Sequence, residues 1–329
     1  MKKKIKVAFI YKKSCEFLTG KHFANTYYHF FMHALKRNQN LEINYIETGD
    51  SYDVRDLKGK ADVILLFDNS PIGTPNELVG LKELDIPVIS RVNDPHDAKR
   101  LGKIQYHEKY KIDYYFGYMH ESYFHRFYPK NFKFETIVYG LEPALYQNLT
   151  SYKDRIKDRI LNSGAIGNPK FHSRIINTIR NPTSNSYKHY KLRTLCNKIS
   201  YVDYTPTLEH DFVNDRYPLL LSKYTAAICA TTYFPTIRYM EIPAAGCLTF
   251  MEITDRNNGY YLGYMDGISA VFINENNYKK KIEEYMQSKE DPKWEQIANA
   301  GKEHALNNLN NDKAIEQLVN LMEKLTSRA

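Results

Sequence analysis

Ten strand-sized apolar runs, punctuated by turn residues and helix-length segments, constrain this chain more than any other feature. They are Lys4–Tyr11, Glu42–Ile46, Ala61–Phe67, Ile86–Arg91, Tyr114–Met119 and Phe134–Val138, then Ile160–Ala165, Ala226–Ala230, Cys247–Met251 and Ala270–Ile273. Short runs of this kind suit strands buried on both faces. Their alternation with helices is the pattern of parallel, doubly wound α/β sheets. Helical spacing puts Phe23, Tyr27, Phe30, Phe31, Ala34 and Leu35 on one face after the first run. It also predicts helices over His172–Ile179, after Pro235, and in a tail of Tyr278–Met286, Trp294–Leu309 and Ala314–Leu325.

The scheme occurs twice in 329 residues, a length that suits about two domains. We read residues 1–150 as one Rossmann-like domain, 151–310 as a second, and 311–329 as a C-terminal helix free to cross back to the first. Two such domains facing each other would set the carboxyl ends of two parallel sheets across one cleft, where sheets of this kind bind ligands.

Several classes fall away. No apolar run approaches the ~18 residues of a membrane span. The basic start, Met1–Lys6, leads into a strand-like run broken by Lys12 and Lys13 rather than a secretion signal, so a cytoplasmic location is expected. Cys15, Cys196, Cys229 and Cys247 are irregularly spaced, without a C-x-x-C pair, which argues against structural zinc and a disulfide framework. P-loop, H-E-x-x-H and G-x-S-x-G motifs are missing.

The net charge of +8 is unevenly spread: residues 151–200 hold 11 basic side chains against Asp154 and Asp158. That cluster suits a diphosphate, a polyanion or an anionic membrane surface, or is a solvated basic face. Without a recognisable nucleic-acid motif, no nucleic-acid partner is expected. Peripheral membrane contact stays open. Between residues 106 and 128, ten of 23 residues are Tyr or Phe, which either stack on an acceptor or fill a core.

The most specific segment is Thr231–Met251, TTYFPTIRYMEIPAAGCLTFM. It holds a turn with Pro235, a short helix carrying Arg238 and Glu241, the triplet Ala244-Ala245-Gly246, and a strand. Small residues at a helix end let a ligand approach the backbone, and a carboxylate there can accept both hydroxyls of a ribose. The plainer reading is a tight helix-to-strand turn with Glu241 solvated, and Arg238 paired with Glu241 along the helix.

This segment resembles the donor-binding signature of GT-B glycosyltransferases of the retaining, family-four-like group. It is most similar to the CgeB-like spore-maturation branch, in which a helix beginning near R-x-x-E ends in A-A-G before a strand. The resemblance implies a GT-B fold, a nucleotide-sugar donor and a glycan or other hydroxyl acceptor. It places Glu241 on the ribose, Ala245 and Gly246 at a close backbone approach, and Arg238 near the diphosphate. Gly164, after the first strand of the second domain, opens the donor site, and Lys170 and Arg174 follow as diphosphate ligands. In the first domain it places Gly20 and Lys21 in a phosphate or acceptor loop, and Asp94 and His96 on the acceptor side as catalytic groups. The family's first glutamate is replaced by Tyr233, which leaves open a silent sugar-nucleotide or glycan-binding module. No D-x-D triplet occurs, so no metal cofactor is expected and basic side chains would stabilise the leaving diphosphate.

Overall fold

Strands covered on both faces must be apolar throughout, and the four residues Val63–Leu66 and the four residues Ala226–Cys229 are buried without exception. The computed structural model describes residues 3–15, 24–167, 185–207 and 211–327, with residues 172, 175, 176 and 179; for 24–29 it describes the backbone only. The chain divides into two compact units: Met1–Lys21, Tyr28–Tyr139 and Asn311–Ala329 form the first, and His22–Tyr27 with Gly140–Asn310 the second. Residues 140–150 therefore group with the second unit, where Leu141 bridges Asn310 and Tyr146 is buried. The helix Asn311–Thr326 groups with the first.

The first unit holds a six-stranded parallel sheet. Its strands are β1 (Ile5–Lys12), β2 (Leu41–Thr48), β4 (Val63–Leu66), β6 (Val88–Arg91), β7 (Ile112–Gly117) and β8 (Phe134–Thr136), in the order β2-β1-β4-β6-β7-β8. A small parallel pair, β3 (Ser51–Asp53) with β5 (Glu77–Val79), stands apart from it. Asn311–Thr326 buries one stripe, Ala314, Ile315, Leu318, Val319 and Met322. Arg37, at the end of the helix Ala24–Arg37, donates to Asp312 at 2.6 Å.

The aromatic segment is core. Tyr110, Tyr115, Phe116, Tyr123, Phe124 and Tyr128 are buried, and Phe124 stacks between Tyr128 and Phe134 with both centroid distances 4.4 Å. Offset rings of this kind supply large apolar area and fixed geometry.

The second unit is built on β9 (Ile160–Ser163), β10 (Val202–Thr205), β11 (Ala226–Cys229), β12 (Leu248–Glu252) and β13 (Val271–Ile273), all parallel, in the order β10-β9-β11-β12-β13. Ile160, Ile228, Phe250 and Val271 pack against Leu192, Cys196, Ile282, Tyr285 and Trp294 on one face. β10 is absent from the sequence reading. It is a short edge strand whose Asp203 and Tyr204 break the apolar run. This strand order reverses direction between β9 and β11, so a ligand crevice is expected at the carboxyl ends of those two strands. All four cysteines are buried thiols. Among the described residues no helix is long and apolar enough to cross a membrane.

Candidate functional site

Two arginines converge on the β9/β11 switch point of the second unit. Arg238 opens the helix Arg238–Ala244, and its Nη1 donates to Ser163 Oγ at 2.7 Å and to the Tyr217 hydroxyl. The guanidinium also lies 4.8 Å over the Tyr217 ring, and the Ser163 and Tyr217 hydroxyls are 2.7 Å apart. Gly164, directly after β9, has φ +105°, and a Cβ there would stand 2.7–2.9 Å from Nε, Cζ and Nη2 of Arg238. Glycine at this turn thus serves two needs, a left-handed backbone and room for a guanidinium.

Arg193 is the second arginine, and sequence reading passed over it. It lies on the helix Lys191–Cys196, is 1% exposed, and donates through Nη1 to the Ala165 carbonyl at 3.1 Å. Its face lies 4.9 Å from the Tyr190 ring. Nε and Nη2 have no hydrogen-bond partner among the described residues. Burial, then repulsion by Arg238, pulls its pKa down. A buried guanidinium with two idle donors is costly, on the order of several kcal/mol. Two neighbouring cations so placed have the chemistry to pair with an anion. The available signal was a basic residue set among Leu192, Leu195 and Cys196, but nothing local says that its donors go unused.

Glu241 sits one turn along from Arg238, only 7% exposed. Burial pushes its carboxyl up to about 7, against the pull of Arg238. No described residue hydrogen-bonds that carboxyl, and Arg238 turns to Ser163 and Tyr217 rather than pairing with it. The structure therefore brings together Gly164, Arg238 and Glu241 of the expected donor group.

It sets Ala245 and Gly246 elsewhere. They precede β12 and so lie at the amino edge of the parallel sheet, whereas Gly164 follows β9 at the carboxyl edge. Their carbonyls each accept from buried Arg155 at 2.9 Å, through Nη2 and Nη1 respectively. Gly246 has φ +75°, with Arg155 Nη2 3.4 Å from where its Cβ would be. The small triplet makes a helix-to-strand turn stapled by Arg155. Tyr233 stands edge-on to His189, ring centroids 5.0 Å apart. Lys170, Arg174, Gly20 and Lys21 lie outside the described residues.

In the first unit, Asp94 and His96 follow β6. Ligand atoms of Asp94, His96 and Asp97 fall within 4.8 Å of one another, Asp97 being also bound by Arg100. His96 Nδ1 is 3.3 Å from the Tyr123 hydroxyl. The loop is pinned from beneath: buried Lys103 donates to the carbonyls of Asn93 and Asp94 at 3.1 and 3.3 Å. Asn93 in turn donates to Asn69 Oδ1 and to buried Asp68. Burial lowers the Lys103 pKa and raises that of Asp68, each opposed by the other's charge and its neighbours.

Two doubly wound units of this kind define the GT-B fold. Residues 184–320 match the family described as glycosyl transferase-like, and the chain as a whole has the GT-B fold. The whole chain is similar in fold to a glycosyltransferase from Rickettsia africae ESF-5, with TM-score 0.54, 12% identity, and 99% of this chain and 100% of that chain covered. It is similar also to Anabaena Alr3699/HepE in complex with UDP and glucose, with TM-score 0.54, 11% identity, and coverage of 97% and 100%. A third is an alpha-glucosyltransferase in complex with UDP-glucose and DNA containing an abasic site, with TM-score 0.55, 8% identity, and coverage of 97% and 100%. No curated protein matches the sequence.

Proposed function

We propose that this protein transfers a glycosyl group from a nucleoside diphosphate sugar, UDP-linked in the first instance, to an acceptor hydroxyl. The observation that carries this reading is the pair Arg193 and Arg238 at the β9/β11 switch point, one of them buried with two donors unused. Guanidinium forks match phosphate oxygens, and a preorganised pair stabilises the charge that develops on a leaving diphosphate without reorganising. In the transfer, the bond from the sugar's anomeric carbon to the β-phosphate oxygen breaks with its electron pair going to the phosphate. The acceptor oxygen bonds to that carbon, and its proton passes to the leaving phosphate. That route gives retention and uses no metal.

The glycosyl transferase-like match and the UDP and UDP-glucose named for two similar folds support the donor class. In this reading Glu241 takes the ribose hydroxyls, and Asp94 and His96 serve the acceptor. The R-x-x-E and A-A-G spacing supports a place in the CgeB-like branch. The test is calorimetric titration with UDP alongside thermal denaturation. Arg193→Met should weaken UDP binding by roughly 10- to 100-fold, the worth of a charged hydrogen bond. It should leave the melting temperature equal or higher, because it removes a buried unpaired charge. Unchanged UDP affinity would refute the assignment.

A further inference from the structure

β10 ends beside the two arginines, and one of its side chains has no part in the core. Tyr204 is paired in register with Asn162 of β9, and the next pair, Thr205 with Ser163, brings the strand to the switch point. There the Thr205 carbonyl accepts from Gly164 N–H at 2.9 Å, so the end of β10 is fixed to the turn that carries Arg238. Side chains alternate along a strand, which puts Tyr204 on the face of Val202. Val202 packs in the cluster of Leu192 and Cys196, so this is the face covered by the helix bearing Arg193. Tyr204 is 40% exposed, and the charges of both Arg193 and Arg238 reach its hydroxyl. Its neighbour Asp203 is engaged with Arg159 and Tyr224, while no hydrogen bond holds the Tyr204 ring among the described residues.

An open aromatic face beside a buried, unsatisfied guanidinium is suited to a ligand that is flat at one end and anionic next to it. We infer that Tyr204 is the platform on which the donor's nucleobase stacks while Arg193 and Arg238 hold the diphosphate. This rests on the donor reading above and adds a specificity residue to it. Stacking on an aromatic is tolerant of base identity, so Tyr204 selects a nucleotide over a bare diphosphate rather than one base over another.

The experiment is titration of the full chain with UDP and, separately, with inorganic pyrophosphate. Wild type should bind UDP more tightly than pyrophosphate. Tyr204→Ala should weaken UDP by roughly 5- to 100-fold, the range of one base-aromatic stack, with pyrophosphate changed less than about twofold. Tyr204→Trp should keep UDP binding near wild type. Equal loss of UDP and pyrophosphate in Tyr204→Ala would show a structural role and overturn the inference, as would no loss of either. Wild type that binds pyrophosphate and no nucleoside diphosphate would overturn the donor reading together with it.

Discussion

Glu241 and Glu252 are both held against ionisation. Burial pushes each carboxyl up to about 7, and Glu275 adds to the effect on Glu252, whose Oε2 has no partner among the described residues. A carboxyl whose folded pKa lies above its unfolded value binds more protons when folded across the interval between the two. Stability therefore falls as pH rises from about 4.5 to about 7 and is level above that. Each group costs the folded state up to about 3 kcal/mol at pH 8. The urea midpoint should be higher at pH 5.5 than at pH 8.0, and Glu252→Gln should raise the pH 8.0 value and shrink the difference. Equal midpoints in wild type would contradict this. Glu241 itself was legible in the sequence, because an acid at that spacing before a glycine stands out. Arg193 was not: what distinguishes it from ten other basic residues in 151–200 is two unused donors, a property of its surroundings.

At the scale of elements, the turn after the helix Arg238–Ala244 shows how a motif is misplaced. Helix, small triplet and strand in that order put Gly246 at the amino end of a parallel strand, away from the ligand edge, and the sequence already contained that order. Arg155 explains the glycine better than a ligand does. Besides Ala245 and Gly246 it donates to the Thr150 carbonyl at 2.9 and 2.7 Å, closing the start of the second unit onto its sheet. Arg155→Met leaves four carbonyls, those of Thr150, Tyr224, Ala245 and Gly246, without this donor and should cost about 3 kcal/mol in urea denaturation. UDP affinity of the folded protein should stay within about twofold. Undiminished stability would show that the staple is idle. β10 escaped sequence reading for a related reason: an edge strand carries polar residues that blur the pattern, and its membership is decided by pairing with β9.

For the whole molecule, the repeated strand-and-helix pattern was enough to read two parallel sheets, because a strand buried on both faces has to be apolar. The same reasoning leaves strand order open, and it is the order that puts the crevice between β9 and β11 and so makes Ser163, Gly164 and Tyr217 neighbours of Arg238. The abundance of tyrosine, ambiguous in sequence, is in residues 106–128 largely a matter of packing in the first unit. Transfer from a nucleoside diphosphate sugar is measured as release of nucleoside diphosphate from UDP-, GDP- and dTDP-sugars in the presence of candidate hydroxyl acceptors. Wild type should release UDP, and Arg193→Met should lower kcat/KM by at least about 100-fold, the loss of both unused donors from the leaving diphosphate. Tight UDP binding with no release from any donor, or release that Arg193→Met leaves unchanged, would contradict this mechanism.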